Sequence, residues 1–473
     1  MNVRPRRHLF YQKKRSNLYR SFLWVFLILA GIWLINQVEI GAIQRPFQPT
    51  FTPTRSTISY TSEGDASFTA GQLEEAISAY KEATNVDPDD IEVWVKLARI
   101  QVYSSNLVTT DAQRIQRLQD ALESIDKAIV LAPDDSTVHA TKAFVMDWLW
   151  SATLLAGQDP KTMLAEAEQE ATRALQLDGQ NVLAMAYYAE IMVDQQKWSQ
   201  AEKIIIQAIE RGPEIMDVHR VYAYVLESTS NYNQAIEEYQ KAIEINPNLT
   251  FLYISVGANY RRLAFSSTIP LERDDLYDKA LEYFAKAARL NTQLQILDPI
   301  PYISIAKTYS QKGDFFAAAL NIKKALSFDI SNADIHGQLG IIYFKSRNYE
   351  GSIPALKCAV QGCTAAESCE ARFGRECAQG ETSSDVIGLP LSNSTVVYYY
   401  TYGSVLAALS LPQRNYCPEA VQVLKQVRAD FSSDETIIGI VSAGEQICAS
   451  LNQDLLQTPT PLPTSTPVPT PRS

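Results

Sequence analysis

From residue 57 onward, small and larger apolar residues return in a fixed order, first four apart and then three, among mostly polar neighbours. In the stretch NYNQAIEEYQKAIEINPN (residues 231–248) the marks are Ala235, Tyr239, Ala242 and Pro247. The preceding stretch places Ala201, Ile205, Ala208 and Pro213 each 34 residues earlier. Spacings of four and three put side chains on one face of an α-helix. Alanine is expected where two helices approach closely, with the larger residue filling the gap beside it. Proline ends the segment, because the chain cannot continue there as helix.

The same marks stand at Ala76, Tyr80, Ala83 and Pro88, and again at Ala121, Ile125, Ala128 and Pro133. They continue at Ala167/Ala171/Ala174, Ala280/Phe284/Ala287, Ala318/Ile322/Ala325 and Ser352/Leu356/Ala359, with a degenerate ninth set at Ala420/Leu424/Val427. An earlier helix precedes each, and a small residue recurs in it: Ala98, Ala143, Ala189, Ala223, Gly257, Ala306 and Gly340. The gap from that residue to the first alanine of the next helix is normally 12, as from Ala223 to Ala235. It widens to 23 or 24 at Ala98–Ala121, Ala143–Ala167 and Gly257–Ala280. The excess is about three helical turns, so both helices are expected to lengthen there and the hairpins to project. A loop is the alternative, above all at SSTIP (266–270).

This two-helix unit of 34 residues resembles the tetratricopeptide repeat over roughly residues 57–431. The resemblance implies an all-α superhelical solenoid of about eight to nine helix–turn–helix units stacked by nearest-neighbour contacts. The units fall near 57–90, 91–135, 136–181, 182–215, 216–249, 250–298, 299–332, 333–365 and 395–433. A cysteine-containing insertion occupies 358–394, and residues 434–456 read as a capping helix.

Ahead of the array, FLWVFLILAGIWLI (22–35) sits in an uncharged run from Ser21 to Val38. About 18 residues of helix span about 27 Å, just enough for a hydrocarbon core, so a transmembrane helix is expected over 21–43, with Trp24 and Trp33 near its ends. Residues 1–20 carry seven cations and no acid, which by the positive-inside rule places them in the cytoplasm and the array outside. A cleaved signal peptide is the alternative. Residues 44–56 and 457–473 are rich in Pro and Thr and read as extended spacers, the second a free, disordered tail.

Outside the basic segment the chain has 35 Lys and Arg against 53 Asp and Glu, a poor surface for phosphate backbones; no nucleic-acid partner is expected. No G-x-S-x-G, P-loop or H-E-x-x-H occurs, so neither catalysis nor a cofactor is expected. Carboxylates read as solvated helix faces. His139, His219 and His336 each precede a small first-helix residue by four, so they occupy one packing position in separate units and not one metal site. Cys358, Cys363, Cys369, Cys377, Cys417 and Cys448 cluster near the C-terminus. Outside the cell an even set argues for disulfides, with Cys417–Cys448 as one possible staple and the other four pairing among themselves. A zinc site is the rival, with spacings of 5, 6 and 8 and no C-x-x-C.

In the tetratricopeptide family the concave face of the first helices commonly takes extended peptides or helices. By register that groove would include Arg99, Tyr103, Phe144, Trp148, Arg220, Tyr224, Arg261, Arg262, Lys307, Phe344 and Lys345. The Lys-and-Asn clamp some members use for a C-terminal carboxylate is not matched, but these cations could face an acidic partner. The expectation is a non-catalytic bacterial scaffold, anchored by one helix on the extracytoplasmic side and binding protein, peptide or cell-envelope polymer. An accessory subunit of an envelope-assembly or secretion complex, and an enzyme or metal site in the cysteine-rich insertion, are the alternatives.

Overall fold

The computed structural model describes residues 17–39, 55–108, 110–160 and 162–456. The basic segment up to residue 16, the spacer over 44–54 and the tail 457–473 lie outside the described residues. The chain divides into two compact units, residues 1–55 and 56–473. The first holds helix α1 (Leu18–Glu39). Its stretch Leu18–Gln37 is long and apolar enough to cross a membrane, and none of it is buried. The helix begins three residues before the expected span, and residues 40–43 lie outside the described residues.

The second unit is a row of helix pairs: α2/α3 (Thr57–Thr69, Leu73–Val86), α4/α5 (Ile91–Ser104, Asp111–Leu131), α6/α7 (Ser136–Leu155, Met163–Leu177) and α8/α9 (Val182–Asp194, Trp198–Arg211). The row continues with α10/α11 (Met216–Ser228, Tyr232–Ile245), α12/α13 (Thr250–Ser266, Pro270–Gln293), α14/α15 (Ile300–Lys312, Phe315–Leu326) and α16/α17 (Ala333–Lys345, Tyr349–Val360). A short helix α18 (Ala365–Phe373) precedes the last pair, α19/α20 (Val396–Ala408, Cys417–Asp430), and α21 (Glu435–Leu456) packs on both helices of that pair.

The repeated residues form the seams. Ala76, Ala83, Ala121, Ala128, Ala201, Ala208, Ala235 and Ala242 have no exposed surface. Where the first helix carries glycine, the partner residue explains it. A Cβ on Gly257 would lie 2.6 Å from the Phe284 ring, and one on Gly340 would lie 2.5 Å from Leu356. The turns between pairs are capped: Asp90, Asp135, Asn181 and Asn332 each accept an amide from the first turn of the helix they start.

The histidines lock these turns. His139 and His219 donate Nε2–H to the carbonyls of Pro133 and Pro213 at 2.8 Å, and His336 donates to Ile330 at 3.1 Å. Each carbonyl lies six residues upstream, so one structural role recurs in three pairs.

Two of the three widened pairs depart from the expectation that both helices lengthen and project. In α4/α5 only α5 is long, with a 3-10 turn at Ser105–Leu107. In α6/α7 only α6 is long. Their extra turns carry Leu107, Trp148 and Leu155, which line a cavity, with Leu155 half exposed at its mouth. In α12/α13 both helices lengthen, and Phe265 and Leu271 near the tip are 78% and 83% exposed.

The row curls until distant pairs touch. Tyr103 of α4 stacks on Phe251 of α12 with ring centres 5.5 Å apart, and Asn248 donates to the Thr69 carbonyl at 2.9 Å. The segment before α19 returns to the second and third pairs: Ser394 donates to Asp111, and Asn393 to the Leu154 carbonyl.

The closed inner face as candidate binding site

The sequence-predicted groove residues fall into two clusters with two outliers. Arg99, Tyr103, Phe144, Trp148, Arg220 and Tyr224 come from α4, α6 and α10, three first helices whose inner faces meet. They do not form one open groove: the curl packs Tyr103 and Phe144 into the interior, while Trp148, Arg220 and Tyr224 border a cavity of about 450 Å³. Tyr103 and Phe144 have no exposed surface, and Arg220 is 5% exposed.

Asp217, fully buried at the start of α10, is the hub. It accepts from Arg99 at 2.5 Å, from Tyr103, from Tyr187 at 3.4 Å and from Arg220 at 3.3 Å. Burial alone would raise its carboxyl pKa; the Arg99 and Arg220 guanidiniums hold it below the usual range. Arg220 also makes two 2.7 Å bonds to Glu190, in the bidentate form that suits a guanidinium and a carboxylate. Glu190 further accepts from the Trp148 indole at 3.1 Å. The Arg220 guanidinium lies 5.2 Å from the Phe144 ring centre, and Phe144 stacks on Tyr187 at 4.3 Å. Every cation of this cluster is matched by a carboxylate, so it is internal structure.

The second cluster is different. Arg261, Lys307 and Lys345 from α12, α14 and α16 line one pocket of about 320 Å³ with Gln338, Ser394 and Tyr398. A neighbouring pocket of about 240 Å³ shares Lys307, Gln338, Ser394 and Tyr398 and adds Arg114 and Asp334. None of Arg261, Lys307 and Lys345 forms an ion pair with a described carboxylate. Arg261 reaches only the Ser304 carbonyl, at 3.4 Å, and stands 5.5 Å from the Phe284 ring centre. Lys307 keeps solvent contact within the curl, yet protein crowds it. That crowding pushes its ammonium pKa down, Asp334 offsets part of the shift, and Arg261 and Arg114 add to it. Tyr398 donates to Asp334 at 2.7 Å and accepts from Gln338 at 2.6 Å, which fixes the floor between the cations. Arg261 and Lys307, partly desolvated and without a described carboxylate partner, stand with the exposed Lys345 beside neutral hydrogen-bonding groups and are equipped to hold carboxylate or another anion.

Arg262 and Phe344 join neither cluster. Arg262 pairs with Glu227 and leans on Tyr232, and Phe344 packs on Tyr349.

The sequence reading missed the acids. Asp147, Glu190 and Asp217 lie 2%, 4% and 0% exposed, not on solvated faces. The signal was present in α6, where Asp147 is the single acid of an otherwise apolar or neutral helix apart from Lys142 and His139.

The six sulfurs stand paired as Cys358–Cys363, Cys369–Cys377 and Cys417–Cys448. The first two close loops within the insertion, and the third ties the start of α20 to α21. No group of three or more metal-ligating side chains occurs among the described residues.

An all-helical row of two-helix units with this seam is a tetratricopeptide-repeat solenoid, and comparison with known proteins agrees. Residues 64–102 match a TPR repeat model, and residues 162–224 and 221–249 match tetratricopeptide repeat models. Such repeats make the body a protein-interaction scaffold. In fold the chain is similar to the human IFIT1 dimer with m7Gppp-AAAA (TM-score 0.52, 15% identity, 88% of this chain and 93% of that one). It is also similar to the human IFIT1 dimer with PPP-AAAA (TM-score 0.50, 15% identity, 85% and 92%). Yeast Tom70 aligns with a TM-score of 0.48 at 12% identity, over 85% of this chain and 92% of that one. No curated protein matches the chain in sequence.

Proposed function

We infer that this protein is a non-catalytic, membrane-anchored scaffold on the extracytoplasmic side, and that it holds an acidic segment of a partner protein against Arg261, Lys307 and Lys345. The observation that carries the reading is that these three cations line one pocket and none pairs with a described carboxylate, whereas Arg99 and Arg220 of the first cluster are matched. The lowered ammonium pKa of Lys307 is costly to maintain, and a partner carboxylate would relieve it. An acidic peptide suits the pocket better than a polyphosphate strand does. Asp334 stands beside Lys307, and the chain beyond residue 20 has 53 acids against 35 bases, so a long polyanion would be repelled along most of its length.

Support for the anchor comes from α1, whose apolar stretch follows a basic segment. Support for the extracytoplasmic side comes from the three paired sets of cysteines, which persist in oxidising compartments.

Fluorescence anisotropy on the full chain in detergent, with a labelled Glu-rich decapeptide and a labelled RNA decamer, tests the site. The peptide is expected to bind, to weaken with salt, and to lose at least about tenfold in affinity in Lys307→Glu. Absence of peptide binding, or RNA binding that Lys307→Glu abolishes, contradicts the reading. Proteinase treatment of intact cells tests the side: digestion of the body is expected, and full protection contradicts it.

A further inference from the structure

A third cavity, of about 450 Å³, lies beside the Asp217 hub, and its charges are not balanced. Leu107, Ala152, Ile254 and Ile300 make its apolar wall, and Leu155, 48% exposed, marks its mouth. Asp147, Asp194 and Asp298 supply carboxyls. Arg220 also borders it but is committed to Glu190 and Asp217, and Arg114 leans on Asp111 at 3.8 Å.

Asp147 from α6 and Asp194 from α8 bring their carboxyl groups together. Asp194 accepts the Tyr224 hydroxyl at 2.6 Å. Asp147 is 2% exposed, and its Oδ1 accepts no hydrogen bond from any described residue. A buried carboxyl oxygen without a donor costs free energy that a ligand's N–H would recover.

The geometry points to an organic-cation site: a primary ammonium or guanidinium on a short alkyl stem, its head between Asp147 and Asp194 and its stem along Leu107, Leu155 and Ile254. A charged donor meets the orphaned acceptor, and methylenes meet an apolar wall, as long basic side chains prefer. Without such a ligand a proton does the neutralising. Burial, reinforced by Asp194 and Glu190, pushes Asp147 well above the carboxylate range. Burial lifts Asp194 to about 6 against the Tyr224 bond, and burial lifts Asp298 to about 6 as well. The other charged or titratable groups facing the pair are Glu190 and Arg220, which are joined to each other, and Tyr224, whose hydroxyl titrates far above neutrality. Binding of a cation therefore releases a proton. A free alkylamine and a lysine side chain of a partner present the same head and stem.

Isothermal titration of the full chain in detergent, with cadaverine, the tripeptide Gly-Lys-Gly and neutral 1,5-pentanediol, tests this. One cadaverine or tripeptide is expected to bind per chain, with proton release between pH 6 and 7 and no binding of the diol. The tighter of the two amines identifies the source. Asp147→Asn and Asp194→Asn keep shape and are expected to lose at least about tenfold in affinity, whereas Asp274→Asn, on the exposed surface, leaves it unchanged. Near-UV circular dichroism checks that each variant is folded. No amine binding at millimolar concentration, equal binding of the diol, or full affinity in both Asn variants overturns the inference. Those results leave the Lys307 site untouched.

Discussion

Arg220→Met removes the one side chain that neutralises Glu190 and shares Asp217. The guanidinium makes two 2.7 Å bonds to Glu190 and one of 3.3 Å to Asp217. After the substitution Asp217 keeps Arg99 and Tyr103, but Glu190, 4% exposed, keeps only the Trp148 indole. Leaving one buried carboxylate unpaired costs about 3–5 kcal/mol. Methionine packing against Phe144 and Trp148 returns at most about 1 kcal/mol of apolar burial. The net expected loss is about 3 kcal/mol at pH 7. The double variant Arg220→Met, Glu190→Met removes the orphan and should return to within about 1 kcal/mol of the parent, as replacing whole buried ion pairs by apolar groups often does. Urea titration of the full chain in detergent at pH 7, followed by tryptophan fluorescence, reads all three. A loss under about 1 kcal/mol in the single variant, or a double variant weaker than the single, would refute the claim that the network is a closed, matched charge cluster.

Three further outcomes follow from other parts of the body. Gly340→Ala places a Cβ 2.5 Å from Leu356 at a seam and should destabilise by about 1–3 kcal/mol, seen as a lower urea midpoint; an unchanged midpoint would show the seam to be loose. Cys417→Ser with Cys448→Ser opens a link across 31 residues; by loop entropy this costs about 3–4 kcal/mol, and reductant should lower the melting temperature of the parent but act less on the variant. Asp298 is lifted to about 6 by burial, so its contribution is fully present at low pH and is lost as pH rises through about 6, by at most about 3 kcal/mol. Asp298→Asn should therefore narrow the stability difference between pH 4 and pH 7, and an unaltered pH profile would contradict the assignment.

The repeat was legible because it depends on local pattern. Ala235, Tyr239 and Ala242 mark a helix face through spacing alone, and Pro247 marks the end. Glycine at 257 and 340 was legible as a small residue, but its partner ring or leucine emerges only from the seam. The curl was not legible. Contacts such as Tyr103–Phe251 and Ser394–Asp111 join residues 148 and 283 positions apart, and small rotations per repeat that no single pair encodes add up to produce them. That is why Arg99, Tyr103 and Arg220 read as an open groove but pack as a core, and why the extra turns of α5 and α6 fold inward. The register did place Arg261, Lys307 and Lys345 on one face, and the structure brings all three to one pocket.

The central claim is that this pocket, and not the outer surface, receives an acidic partner segment. The direct measurement is photo-crosslinking from positions 307 and 345 of the full chain in native membranes, with position 279 on the exposed flank of α13 as control, followed by mass spectrometry of the joined peptide. The account predicts crosslinks from 307 and 345 to one Asp- or Glu-rich segment, lost in the Arg261→Glu background and absent from 279. Crosslinks no stronger at 307 and 345 than at 279, or to a segment without acids, would contradict it.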